Sequence, residues 1–282
     1  MAKLEYTFKN DTLFKMLFVK YPDLLKRLVS ELLDIAFESI GQFVITNPEM
    51  PPESIGDKFC RLDINMTVNG QRVDLEIQVS DEGDYPERSL FYWARDYSTS
   101  LGSGMEYLKL PRTVIISIID FKLFDCTEFH SEFMPLEVTR HTPLTDRMSL
   151  HYFELPKLPV TVDADNGLEL WLALFNAETE EELKQIEALE VPIMEEAIGA
   201  YRGITATDEF KEIERLRTLA RHNEASALGH ARREATAKAN AKWQAVVADK
   251  EAALANKDAE WGSVVANKDA EIARLRAQLG QN

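Results

Sequence analysis

The hydrophobic pattern of the chain changes period several times. In residues 7–20 the apolar positions Leu13, Phe14, Leu17 and Phe18 recur at helical spacing behind Asn10 or Asp11 as N-cap. Pro22-Asp23 opens a second helix with Leu24, Leu25, Leu28, Leu32 and Leu33 on its inner side. A short strand is expected at residues 39–45, and Pro48, Pro51 and Pro52 then forbid regular structure. Residues 62–79 alternate with period two on both sides of Asn69-Gly70. Asn-Gly suits a tight hairpin turn because both central residues need positive φ. Pro86 starts a helix reaching about residue 101, and Gly102-Ser103-Gly104 ends it without the Gly-x-Ser-x-Gly spacing of a nucleophile elbow. The β-branched run of residues 112–121 reads as a strand buried on both faces. Two more strands are expected in residues 133–155 around a turn at Pro143, the clearer one at 150–155. Everything from Leu168 onward reads as helix: 168–176, 180–189, 192–201 and a long one capped by Asp208. The order helix, hairpin, helix, strand, strands implies a mixed α/β or α+β core.

The hairpin carries the first chemical signal. With Asn69-Gly70 as the turn, Ile64 faces Leu75 and Asp63 faces Glu76. One face holds Leu62, Ile64, Met66, Val68, Val73, Leu75, Ile77 and Val79; the other, accessible in this reading, holds Asp63, Asn65, Thr67, Arg72, Asp74, Glu76 and Gln78. Directly opposed carboxylates are destabilising unless something cationic offsets them. A hard divalent ion would do so, and so would a solvated face with Arg61 or Arg72 nearby. On the following helix Arg88, Tyr92 and Arg95 share a face. That face suits phosphate binding or base stacking; equally, the arginines could pair with Asp84 or Asp96 beside a half-buried Tyr92.

Composition narrows the field. With 282 residues, 45% hydrophobic and 28% charged, the chain can build one sizeable core plus an appendage, or two domains. No segment approaches the ~18 consecutive apolar residues of a membrane span, and Met1 to Tyr6 lacks the apolar core of a signal peptide. Cys60 and Cys126 fit a reducing compartment, so the expected location is cytoplasmic. The five histidines are scattered, which argues against a zinc site. A net charge of −16 argues against a surface that grips phosphates everywhere, though not against a local basic strip. The acidity is uneven: residues 161–207 hold 11 acids against 2 bases, and residues 208–282 hold 12 against 13.

Three divisions follow: a core over 1–160, a helical extension over 161–207, and a long alanine-rich helix over 208–282. In the last, Trp243 recurs as Trp261 and Val246-Val247 as Val264-Val265. One heptad position collects Val247, Leu254, Trp261, Lys268 and Leu275; the other collects Glu251, Asp258, Val265, Ile272 and Leu279. The expectation is a coiled coil that makes the chain a homo-oligomer, a dimer, against the plainer reading of one charged surface helix.

The ordered set Asp11-x-x-Phe14-Lys15-x-Leu17-Phe18, Asp63, Glu76-Ile77-Gln78, Arg88-x-x-x-Tyr92 and Gly104-x-x-Tyr107 before a β-branched strand resembles the PD-(D/E)XK nuclease family transposases, also called recombination-promoting nucleases. The resemblance covers about residues 5–155. It implies a restriction-endonuclease-like core, a mixed central sheet flanked by helices, here followed by an all-helical extension. It further implies a DNA endonuclease using Mg²⁺ (or Mn²⁺), with DNA as partner and a link to recombination or mobile elements. Carried over, Asp63 and Glu76 are the metal-holding acids, with the Ile77 backbone carbonyl as a further ligand. Gln78 stands where the wider superfamily has lysine. Asp11, Lys15, Arg88 and Tyr92 would support substrate or site. Glutamine cannot supply lysine's charge. That departure leaves a second reading open: a nuclease-fold protein acting as a binding and oligomerisation module through its C-terminal helices.

Overall fold

The computed structural model describes residues 2–47, 64–102 and 104–279. Asp63, the prolines at 48, 51 and 52, Cys60 and Arg61 lie outside them. The helices are α1 (Asp11–Lys20), α2 (Pro22–Leu32), α3 (Tyr85–Thr99), α4 (Gly167–Asn176), α5 (Glu180–Glu187), α6 (Pro192–Thr205) and α7 (Asp208–Leu279). The strands are β1 (Phe43–Ile45), β2 (Ile64–Val68), β3 (Gln71–Gln78), β4 (Thr113–Ile119), β5 (His130–Phe133) and β6 (Met148–Glu154).

Local chemistry sets the ends of these elements. The Asn10 side chain accepts a hydrogen bond from Leu13 N at 2.8 Å and starts α1. Thr179 and Glu182 form a reciprocal capping box at α5, satisfying amides that no earlier turn could reach. Asn69 and Gly70 both adopt positive φ, 49° and 79°, and close the β2–β3 hairpin. Its register pairs Ile64 with Leu75, Met66 with Val73 and Val68 with Gln71, as the alternation predicts. The Asn69 side chain also accepts from Gly41 N and Gln42 N and donates to Ser39 O, which ties the turn to the segment leading into β1.

The strand order is β1-β2-β3-β4-β6-β5. β3–β4 and β4–β6 are parallel, and the other pairs are antiparallel. Every residue of β4 is buried, which accounts for its unbroken β-branched run. Two positions differ from the sequence reading. Residues 37–39 form a 3-10 turn, so the first strand shortens to Phe43–Ile45. The region around Pro143 holds only an isolated bridge, Leu136 to Pro143, and the partner of β6 is the earlier β5. Proline has no N–H to continue a ladder; Pro143 is itself one partner of that bridge, and Pro135 precedes the other.

Helices cover both faces. On one, α1, α2, α4, α5 and α6 share a single core with Ile64, Met66, Val73, Leu75, Val114, Ile116 and Phe153. The helical extension therefore does not stand apart: Phe175 meets Phe8, Phe14 and Phe18, and Phe8 stacks on Tyr201 at 4.7 Å. On the other face α3 covers a smaller cluster of Tyr85, Ile115, Ile119, Leu150 and Tyr152. The result is an α/β/α sandwich. By its contacts the chain divides into Met1–Arg217 and Thr218–Asn282. The first turns of α7 belong to the former unit: Phe210 is fully buried, Glu214 accepts from Asn10 and Thr12, and Arg217 pairs with Asp11 at 2.8 Å. The second unit is helix throughout its described residues.

Candidate active site on the third strand

The polar face of the hairpin is not open as the alternation alone suggests. Asp74 and Glu76 are only 6% and 5% exposed. The cover is α3, whose inward side is itself polar and aromatic. Two carboxylates two positions apart on one strand face, both withdrawn from water, carry a desolvation cost that requires compensating partners.

One partner of Glu76 is Tyr85, in the first turn of α3. Its hydroxyl donates to Glu76 Oε2 at 3.2 Å, and the ring is fully buried. Burial, followed by the negative charge of Glu76, pushes the Tyr85 phenol well above its ordinary range. It therefore stays protonated and can only donate to the carboxylate. The Arg88 guanidinium lies over the Tyr85 ring at 4.9 Å and pairs with Glu82 at 2.8 Å. Further along α3, Ser89 shares a 2.5 Å hydrogen bond with Tyr152 of β6, and Trp93 Nε1 donates to Thr113 O at 3.0 Å. Arg72 on β3 reaches Asp96 through Nε at 2.9 Å. These bonds hold α3 against the polar side of β3, β4 and β6.

The remaining sequence-derived residues divide by location. Glu76, Ile77 and Gln78 end β3, where Gln78 O accepts from Asp120 N at 2.9 Å. The Gln78 amide donates to Ser80 O at 2.8 Å and is partly exposed. Tyr92 is half-buried on α3. Arg88 pairs with Glu82 rather than with Asp84 or Asp96. Asp11 and Lys15 belong to α1, which packs on the opposite face of the sheet from Glu76. Asp11 turns to Arg217. Lys15 is buried and donates to Asn47 O, and the Asn47 side chain accepts from Asn65 N, so Lys15 approaches the start of β2. The acid at 63 lies outside the described residues; among those residues no three histidine, cysteine or acidic side chains gather as a metal-binding group.

Sequence reasoning passed over three residues here. Tyr85 reads as a turn residue before Pro86, and only the docking of α3 turns it onto Glu76. Lys9 is buried beside the carboxyl ends of β3 and β4 and pairs with Asp120 at 2.7 Å; its one signal is its place just before the α1 cap. Tyr152 reads as strand core. A separate surface cavity of about 520 Å³ involves Lys122, Cys126 and Lys157, and none of the residues above lines it.

A mixed sheet between helical layers, with a Glu-x-Gln strand end following an antiparallel hairpin, defines a nuclease-type α/β/α protein. The comparison with family models makes this specific: the model described as PD-(D/E)XK nuclease family transposase matches residues 8–231, and the chain belongs to that family. No curated protein and no solved structure matches it. Among the described residues no helix is long and apolar enough to cross a membrane.

Proposed function

We propose that the protein is a divalent-metal-dependent DNA endonuclease, with Asp63 and Glu76 as its metal-holding acids. The observation that carries this reading is Glu76 itself. A carboxylate 5% exposed at mid-sheet, beside a second buried acid and held by a protonated phenol, is a costly arrangement for structure alone. The donor set suits a hard cation such as Mg²⁺ or Mn²⁺, since carboxylate and carbonyl oxygens are its preferred ligands. Glu76 would hold it, joined by Asp63, which directly precedes Ile64 in the chain, and by the Ile77 carbonyl. Such an ion supplies an activated water and stabilises charge on the scissile phosphate.

The chain's own residues supply the setting. Tyr85 orients Glu76. Gln78 can orient water by hydrogen bonds but brings no charge. Arg88 and Tyr92 stand on the helix over the site and would meet the phosphodiester chain, while Lys15 supports the start of β2 and Asp11 ties α1 to Arg217. A link to recombination or mobile elements follows from the family. A nicking assay on supercoiled plasmid tests the reading. Mg²⁺-dependent nicking by the wild type, abolished by EDTA and lost in both Glu76→Ala and Asp63→Ala, is the expected outcome. Equal nicking by wild type and folded variants would overturn it, as would no nicking by the wild type in either metal.

A further inference from the structure

The second unit of the chain carries an exposed apolar stripe. Trp243 and Trp261 are each 68% exposed, and Val247, Leu254, Val265, Ile272 and Leu275 are all about half exposed. The two tryptophans are 18 residues apart. At about 3.6 residues per turn that is five whole turns, so both leave the helix in the same direction. The same interval relates Val247 to Val265, Lys250 to Lys268 and Glu251 to Asp269. A helix of this length with an apolar stripe, here interrupted at its seam by Lys268, Glu251 and Asp258, gains stability in water when that stripe is covered.

The charges say what covers it. Lys250, Lys257 and Lys268 lie on one side of the stripe, turned about 20–40° from the line of the tryptophans. Each is followed at once by an acid, Glu251, Asp258 and Asp269. Successive residues are about 100° apart around the axis, so the acids run along the other edge. When two copies lie side by side in the same direction and in register, two-fold symmetry sets the basic edge of each against the acidic edge of the other. Lys250 then meets Glu251 of the second copy with an axial offset of about 1.5 Å. The pairs 257–258 and 268–269 repeat the arrangement. Identical apolar layers meet as well: Trp243 on Trp243, Leu254 on Leu254, Trp261 on Trp261.

The antiparallel alternative sets like edges together. In the alignment that places Leu254 against Val264 and Trp243 against Leu275, Lys250 falls opposite Lys268. Lys268 is now bonded only within its own helix, to Glu271 at 3.0 Å, with both side chains more than half exposed. Such a pair contributes little and exchanges readily.

We infer that residues 243–276 form a parallel, in-register pairing surface whose partner is a second copy of this chain. The inference stands on the helix alone and does not depend on nuclease activity. The test uses the full chain. Light scattering should give twice the 32.1 kDa chain mass. In Val247→Cys/Ile272→Cys, mild oxidation and peptide mapping should find 247–247 and 272–272 links. Reversing the three lysines to glutamate should raise the dissociation constant about tenfold at low salt and less in molar salt. Adding Glu251→Lys, Asp258→Lys and Asp269→Lys to the same chain should restore it. A monomeric mass, a 247–272 link, or no response to the reversal would each overturn the inference.

Discussion

Glu76 and Tyr85 form the pair on which the proposed chemistry turns. Tyr85→Phe keeps the ring packing and removes one donor to the carboxylate. Because second-layer hydrogen bonds orient metal ligands, it should weaken Mn²⁺ binding, followed by calorimetry, by about tenfold, with an unfolding cost of only about 1 kcal/mol. Unchanged affinity would remove Tyr85 from the site. A second residue-level expectation concerns pH. His151 on β6 sits in a directed chain of hydrogen bonds. The Ser149 hydroxyl donates to Glu132 at 2.7 Å, so it accepts from His151 Nε2 at 2.8 Å, and His151 Nδ1 then accepts from His130 Nε2 at 3.1 Å. Burial lowers His151 to about 4. The unfolded chain therefore binds the extra proton between about pH 6.5 and 4, and stability falls as pH drops through that window. The loss should approach 3 kcal/mol as an upper figure, roughly, by the same linkage. Urea unfolding at pH 7, 5.5 and 4.5 would read it, and His151→Asn should flatten the profile.

The hairpin and α3 together make the site. The turn was legible in the sequence because positive φ at two adjacent residues leaves few residue choices, and Asn69-Gly70 meets the requirement. Gly70→Ala, at φ +79°, should cost about 1 kcal/mol or more in thermal or urea unfolding. Asn69→Ala should cost more, since it also breaks three bonds to residues 39–42. The burial of Asp74 and Glu76 was not legible. A polar face on a strand reads the same whether water or a polar helix covers it. The inward residues of α3 (Tyr85, Ser89, Trp93, Asp96) are a mixed set that no hydrophobic periodicity marks.

The same limit acts on the chain as a whole. Residues 161–207 read as a helical extension because their periodicity is helical throughout, and their apolar sides share the core with α1. Truncation should expose the difference. A chain ending at Arg217 keeps Phe210, Glu214 and Arg217 and should unfold cooperatively near the full chain's midpoint. A chain ending at Thr207 loses the buried Phe210 ring, which meets Tyr6 edge-on at 4.8 Å, and should lose about 3–5 kcal/mol. Equal midpoints for the two truncations would take the first turns of α7 out of the core.

Periodicity and turn chemistry are written residue by residue, so helices, hairpin register, the buried central strand and the ordered family motifs could be taken from the amino acids directly. Those features depend on neighbours a few positions away. The sheet order that places β6 between β4 and β5, the docking of α3 over Glu76, the buried Lys9–Asp120 pair and the merging of the extension into one core join residues far apart in the chain. Their energies arise from desolvation and contact between surfaces, and those exist only once the layers have met.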